Sequence, residues 1–242
     1  MPPRAAMHYD VRVGDDGAWE VREEGDLLAR EPTPHAASDA VYVRAHRRAF
    51  ELASLAGWSR VHAATVDLGG MRLLVVGPSG AGKTTLAVRL LFDGEAVQGD
   101  ESVLVHRTGV SFAVPRAFHV KDGTVEVVPE LATLTGLPRV EDVTVLDPTL
   151  VRAPWELAEA PVDHVVLLER DANPTGGDHP PSVEPVPGPV VLQALVQQAF
   201  PVTESKADLV RTLAGVTAST RAHRVTGGDL SATVSALRAL IL

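Results

Sequence analysis

Short apolar runs separated by glycine-rich turns dominate the centre of the chain. Residues 71–76 read Met-Arg-Leu-Leu-Val-Val and predict a buried strand, because an apolar run of this length bounded by turn residues suits a strand better than a helix. Residues 62–70 alternate in polarity and end in two glycines, which predicts a hairpin into that strand. Apolar residues then continue from Leu86 to Phe92, and Gly94 marks the end of a helix. Strand, glycine-rich turn and helix are therefore predicted in direct succession.

The flanking regions give a coarser picture. Residues 9–22 predict two short strands joined at residues 14–17, and residues 38–56 have the spacing of an amphipathic helix. Beyond the central motif, short strands are predicted at residues 102–107, 110–114, 118–121 and 124–128, a helix start at residue 129, a strand at 165–168, and helices at 191–200, 205–214 and 229–240, the last capped by Asp229. Proline and glycine crowd residues 171–189, which predicts a mobile surface loop acting either as a lid or as a spacer.

These elements predict an α/β protein with a mixed central sheet and flanking helices. A chain of 242 residues can form one substantial core with a small appendage. We therefore expect residues 1–60 to form an N-terminal strand-helix appendage packed on the core, and residues 61–242 to form the main domain.

The turn after the 71–76 strand has the composition of a phosphate-binding loop. Its nine consecutive residues are Gly77, Pro78, Ser79, Gly80, Ala81, Gly82, Lys83, Thr84 and Thr85. The glycines allow the backbone N–H groups to turn towards a phosphate at the positive end of the following helix. Lys83 adds a charge for the β- and γ-phosphates, and Thr84 supplies the hydroxyl that such loops use to bind Mg²⁺. The motif predicts a nucleoside triphosphate site with ATP and Mg²⁺ as cofactors.

Two adjacent carboxylates, Asp100 and Glu101, follow only one helix after the loop. One of them can hold Mg²⁺ together with Thr84, while the other can accept or orient the proton of an attacking hydroxyl. A solvated strand edge is the alternative reading of the pair.

The order His62-Ala63-Ala64, glycine loop, helix and acidic pair resembles the catalytic domain of the HPr kinase/phosphorylase family and the shorter HPr-kinase-related proteins. The resemblance is strong from residue 62 to residue 101 and weaker over residues 114–123. It implies the P-loop nucleotide-binding fold of the HPr kinase C-terminal domain, with Asp100 as base and Glu101 nearer the metal. Glu101 stands where the bifunctional enzyme has a second aspartate, and its second glycine-containing signature is absent here. The resemblance therefore implies the kinase activity, and these departures leave the phosphorylase activity open.

Other charged residues have two readings each. His62 is either a neutral histidine packed in the sheet or, as the resemblance implies, a catalytic residue whose charge responds near neutral pH. Arg116 and Lys121 either brace phosphate charge or belong to a solvated hairpin around Asp122. Residues 169–170, Glu-Arg, close a strand at an edge where ligands often bind, but an ion pair explains them equally well.

Composition narrows the classes of function. A net charge of −9 and a pI near 5.4 disfavour general nucleic-acid binding. The basic segment 44–48 is read as the solvated face of a helix, with docking of an acidic peptide as the alternative. The absence of cysteine and of paired histidine motifs disfavours zinc sites and disulfides. No signal segment or long apolar run is present, so we expect a cytoplasmic protein with no membrane partner.

Taken together, these patterns predict an ATP-dependent kinase that transfers the γ-phosphoryl group to a Ser or Thr hydroxyl. The resemblance implies a peptide or small-protein substrate, and a natural-product precursor peptide is one such candidate; a small-molecule hydroxyl is the alternative. It also makes a homo-oligomer an expectation. A nucleotide-dependent binding module and a simple ATPase are the competing hypotheses, and the carboxylates favour catalysis over pure binding. The related phosphoenolpyruvate carboxykinase fold is disfavoured by the chain length.

Overall fold

The computed structural model describes residues 7–170 and 180–241. The chain divides into two compact units, Met1–Ala56 and Gly57–Leu242.

The first unit is a three-stranded antiparallel sheet followed by one long helix. Its elements are β1 (Tyr9–Val13), β2 (Trp19–Glu23), β3 (Asp26–Glu31) and α1 (Pro34–Leu55), with the strands in the order β1-β2-β3. The third strand was not predicted, and the helix begins four residues earlier than expected. Thr33 explains the early start, because its side chain accepts a hydrogen bond from the Ala36 N–H, and Pro34 suits the first helical position.

The basic segment of α1 is neutralised by acidic neighbours. Arg44 forms an ion pair with Glu23 at 2.6 Å, and Arg47 and Arg48 both pair with Glu51. These pairs favour the reading of a solvated, ion-paired helix face.

The second unit contains the remaining strands and helices. Its strands are β4 (Trp58–Val61), β5 (Ala63–Leu68), β6 (Met71–Val76), β7 (Ala96–Gly99), β8 (Val103–His106), β9 (Val110–Ala113), β10 (Phe118–Lys121), β11 (Arg139–Val140), β12 (Val143–Leu146), β13 (Ala160–Pro161), β14 (His164–Glu169), β15 (Ser182–Pro185) and β16 (Arg221–Thr226). Its α-helices are α2 (Lys83–Phe92), α3 (Asp122–Val127), α4 (Gly188–Gln197), α5 (Lys206–Ser219) and α6 (Leu230–Ile241). This is the mixed α/β architecture that the sequence predicts.

A six-stranded sheet with the order β15-β16-β14-β6-β5-β7 forms the centre of this unit. Strands β6, β14 and β16 are parallel, whereas β5, β7 and β15 pair antiparallel. Alternate residues of the central strands enter two apolar clusters. One contains residues of α2 and α6, such as Leu90 and Leu237, and the other contains residues of α4 and α5, such as Leu195 and Leu213. Helices therefore cover both faces of the sheet.

A second, four-stranded sheet has the order β13-β9-β8-β4, and β10, β12 and β11 form a small third sheet. The chain passes between the six-stranded and four-stranded sheets at two neighbouring places. His62 separates β4 from β5, and residues 100–102 separate β7 from β8. The predicted site residues His62, Asp100 and Glu101 therefore lie where the two sheets join.

The structure corrects several predicted elements. Residues 124–128 do not form a strand, because α3 begins at Asp122, and Lys121 is its extended N-cap rather than part of a hairpin. Thr124 is buried on this helix. The β-branched residues around it had indicated a strand instead of a helix. The predicted helix start at residue 129 is a single 3₁₀ segment, Pro129–Thr133.

The predicted irregular segment 171–189 is regular in its second half. Residues 182–185 form the edge strand β15, and α4 starts at Gly188. Pro185 is compatible with an edge strand because its missing N–H is not needed on the open side. Residues 171–179 lie outside the described residues. Strand β16 was not predicted, whereas the cap of α6 is confirmed: the Asp229 carboxylate accepts from the Ala232 N–H at 2.6 Å.

None of the helices in the described parts of the chain is both long and apolar enough to cross a membrane.

Candidate active site

The glycine-rich loop lies between the end of β6 and the start of α2, as the sequence predicts. Gly80 and Gly82 have φ values of 81° and 100°, a left-handed conformation that favours glycine. Gly82 is the N-cap of α2, so the first N–H groups of the helix border the loop. This arrangement places unpaired helix N–H groups and the positive helix end beside the loop.

Gly77 is required for a different reason, which is close packing. A Cβ atom at this position would lie 2.3 Å from the carbonyl oxygen of Leu168 at the end of β14. The loop is therefore seated directly against the neighbouring parallel strand.

We expect Gly77→Ala to lower the free energy of unfolding by roughly 1–3 kcal/mol, since a backbone clash must be relieved by moving the loop or β14. Urea unfolding of the purified variant measures this. Gly123→Ala is the matched control, because nothing lies within 4 Å of its added Cβ and its backbone is helical. The control should be neutral or slightly stabilising; equal behaviour of the two variants would contradict the close packing.

Lys83 is the first residue of α2 and is almost completely buried, with 5% of its surface exposed. Its Nζ donates hydrogen bonds to the carbonyl oxygens of Gly77 at 2.8 Å and Pro78 at 3.2 Å. Burial lowers the pKa of the Lys83 ammonium, and the charges of Asp100 and Glu101 oppose this shift. The ammonium thus lies inside its own loop, facing the acidic pair.

Asp100 is buried beside the start of α2, with 4% of its surface exposed. Its carboxylate accepts a hydrogen bond from the Thr84 side chain. Its Oδ1 has no hydrogen-bond partner within the described residues. Burial raises the pKa of Asp100 to about 6, and the Thr84 hydrogen bond and the charge of Arg116 limit the rise.

The Thr84 and Asp100 oxygens fit a Mg²⁺ site. Mg²⁺ in nucleotide enzymes is usually held by one or two protein oxygens, with water and phosphate oxygens completing the shell. The unpaired Oδ1 is a buried acceptor that a cation or its water would satisfy. Within the described residues, no group of three or more acidic or histidine side chains forms a cage for a metal ion. The arrangement therefore suits an ion that arrives with a nucleotide.

Glu101 points to a different set of neighbours from Asp100. Its carboxylate forms an ion pair with Arg116. The same guanidinium lies 3.0 Å from Nδ1 of His119. Arg116, which the sequence offered as a phosphate brace, is thus brought to the site, whereas Lys121 is exposed at the N-cap of α3.

His62 joins the acidic pair from the strand junction. Its side chain hydrogen-bonds the backbone of Glu101. Burial lowers the pKa of His62, and the charge of Lys83 acts in the same direction. Both effects favour the neutral form of the His62 ring.

Three neighbours of the site were not singled out from the sequence: Arg60, Phe200 and Thr124. Arg60 donates to Ser102 Oγ, Phe200 packs edge-on to His62, and Thr124 Oγ1 lies 2.7 Å from Thr85 Oγ1. All three contacts join residues more than 35 positions apart in the sequence. Local sequence patterns therefore could not predict them.

Glu169, at the strand end considered above, forms an ion pair, but its partner is not the adjacent Arg170. Glu169 pairs instead with Arg224 of β16 at 3.1 Å.

Comparison with known proteins gives similarity at the level of structure but not of sequence. No protein-family model matches the chain, and no curated protein matches its sequence. Among solved structures, the chain is similar to the Hpr(Ser) kinase/phosphatase from Coxiella burnetii, with a TM-score of 0.36 and 12% identity, over 75% of this chain and 90% of that chain.

Proposed function

We propose that this protein is an ATP-dependent phosphotransferase of the P-loop class that moves the γ-phosphoryl group to a hydroxyl. The observation that carries the proposal is the meeting of Lys83 and Thr84 with Asp100 and Glu101 at one end of β6 and β7. Phosphoryl transfer depends mainly on positioning and charge neutralisation, and these are the groups it needs.

The loop and the start of α2 would hold the phosphates. The N–H groups of the α2 N-terminus offer donors to the β-phosphate, and Lys83 offers a cation. A bound phosphate would replace the Gly77 and Pro78 carbonyls as partner of the Lys83 ammonium.

Thr84 and Asp100 would hold Mg²⁺, which neutralises charge between the β- and γ-phosphates when bound. The hydrogen bond between these two residues supports this division of labour over the one in which Glu101 lies nearer the metal. Glu101, fixed by Arg116 and beside His62, would face the acceptor.

In the proposed transfer, the acceptor oxygen forms a bond to the γ-phosphorus while the bond to the β,γ-bridging oxygen breaks and ADP leaves. The acceptor proton passes to the Glu101 carboxylate. Arg116 is placed to neutralise the charge of the transferred group. A Ser or Thr hydroxyl of a peptide or small protein is the proposed acceptor.

The test is transfer of label from γ-labelled ATP with Mg²⁺ to Ser- and Thr-containing peptides, with ATP binding measured separately by calorimetry. Labelled peptide supports the kinase. Release of labelled phosphate without labelled peptide identifies an ATPase, and tight binding without either product identifies a nucleotide-dependent binding module.

His62→Ala is expected to reduce the transfer rate about tenfold or more while the protein remains folded, because the ring contacts the backbone that carries Glu101. Single-turnover transfer and thermal unfolding should be measured together. His106→Ala is the control, since this partly exposed residue of β8 lies outside the site. If the variant loses stability but its folded fraction transfers phosphate at the wild-type rate, His62 has a purely structural role.

A further inference from the structure

A half-exposed aromatic ring borders the candidate active site. Phe200 follows α4 and keeps 49% of its surface exposed. Its ring meets the His62 ring edge-on, with centroids 6.3 Å apart and an interplanar angle of 83°. The Arg60 guanidinium carbon lies 5.1 Å from the centroid of the Phe200 ring.

The backbone fixes this ring relative to the site. Phe200 N–H donates to the Arg60 carbonyl at 2.9 Å, and His62 N–H donates to the Gln198 carbonyl at 2.8 Å. Val61 and Ala199 form an antiparallel bridge between these bonds. Residues 198–200 thus add a short strand-like segment to the edge of β4, and this segment ties the backbone of Phe200 to that of β4 and His62.

Arg60 connects the ring to the acidic pair. Its Nε and Nη2 donate hydrogen bonds to Ser102 Oγ at 3.1 and 2.9 Å. Ser102 directly follows Glu101 in the chain. The Phe200 ring therefore has the Arg60 guanidinium beside it, and a second guanidinium, that of Arg116, pairs with Glu101 in the site. The charges of Arg60 and Arg116 act on each other.

We infer that Phe200 is a specificity-determining residue that binds an apolar side chain of a peptide acceptor close to the phosphorylated hydroxyl. The inference rests on the proposed phosphoryl transfer and adds the chemistry of its acceptor. An exposed ring held rigidly beside a reacting group offers apolar area at little entropic cost, which is how aromatic residues act in recognition. The cationic groups near the ring favour an acceptor segment with an acidic rather than a basic residue beside the hydroxyl.

The geometry limits how far the recognised side chain lies from the hydroxyl. The 6.3 Å between the His62 and Phe200 rings corresponds to about two residues of extended chain. A peptide whose hydroxyl lies beside His62 and Glu101 would place a side chain about two residues away against Phe200.

The experiment is a positional-scanning library of Ser- and Thr-containing peptides with γ-labelled ATP and Mg²⁺, read for wild type, Phe200→Ala and Phe200→Leu. Wild type should prefer aromatic or aliphatic residues within about two positions of the hydroxyl. Phe200→Ala should lose this preference about tenfold through a higher KM, with kcat for the remaining peptides retained. Phe200→Leu, which keeps apolar area, should retain part of the preference.

Val210→Ala is the matched control, because Val210 is an apolar residue of α5 with a similar exposed fraction, 42%. Its selectivity should equal that of wild type. Unchanged selectivity in Phe200→Ala, with transfer intact, overturns the inference but leaves the kinase proposal standing. ATP binding without label on any library peptide also overturns it. Failure of wild type to bind ATP contradicts the proposed function itself.

Discussion

Lys83→Ala is expected to abolish measurable phosphoryl transfer, with a loss of at least about 10²–10³-fold, and to weaken ATP binding. The ammonium is buried and its counter-charges lie close by, so its interaction with phosphate is not shielded by bulk water. The substitution also removes the cation that faces Asp100 and Glu101. These two carboxylates would then repel an incoming triphosphate.

The measurements for Lys83→Ala are ATP titration by calorimetry and single-turnover transfer at saturating ATP. Lys206→Ala is the control, because this exposed residue at the start of α5 carries the same charge outside the site. Thermal unfolding shows whether both variants are folded. Unchanged ATP affinity and turnover in folded Lys83→Ala would contradict the assignment of the loop to phosphate binding.

Asp100→Asn is expected to reduce transfer by roughly 10² or more and to raise the Mg²⁺ concentration needed for half-maximal rate. The amide can still accept from Thr84, so the fold around α2 is retained while the negative charge is lost. A rate loss with unchanged Mg²⁺ dependence would instead identify Asp100 as the proton acceptor.

The same variant should be more stable than wild type at neutral pH in the absence of nucleotide. The folded-state pKa of Asp100 is raised to about 6 from 3.8, so the folded protein binds this proton more tightly than the unfolded chain does. The contribution of Asp100 to stability therefore grows as pH falls from above 6 towards 3.8, and above 6 the buried charge is destabilising. Removing the charge should raise the free energy of unfolding at pH 7.5 by about 3 kcal/mol.

Unfolding of Asp100→Asn and wild type should be compared at pH 7.5 and pH 4. The expected gain is present at pH 7.5 and largely absent at pH 4, where Asp100 is protonated in the folded protein. Asp142→Asn is the control, because Asp142 is exposed and removal of its charge leaves the buried site unchanged. If Asp100→Asn is less stable than wild type at pH 7.5, the buried charge of Asp100 is compensated by its neighbours and is not destabilising.

The central elements were predictable because their signals are local. Residues 71–76 form β6, and the helix that follows ends at Phe92, two residues before the glycine that the sequence marks. The strand expected at 124–128 was wrong because Thr124 lies in α3, buried against the loop, so tertiary packing overrode the strand preference of its β-branched neighbours. Strand β16 was missed because Val225 is its only buried residue.

The site was predictable only as far as motif spacing reaches. The loop and the acidic pair lie within one helix of each other in the sequence. Arg60 and Phe200 reach the same place through a bridge between β4 and the end of α4, a contact across more than 130 residues. Strand pairings between residues so far apart depend on the three-dimensional arrangement of the sheets. The periodicity of apolar residues along the sequence does not predict them.

The position of His62 and Asp100 at the two passages between the sheets has a consequence for cooperativity. Neither sheet alone contains the whole proposed site, so ATP binding as proposed would require both sheets to be formed and joined. Ligand binding must then stabilise the junction by linkage, and slow amide hydrogen exchange should extend on binding from β6 and β7 into β4 and β8. The nucleotide would act in this protein as the element that makes two sheets unfold as one.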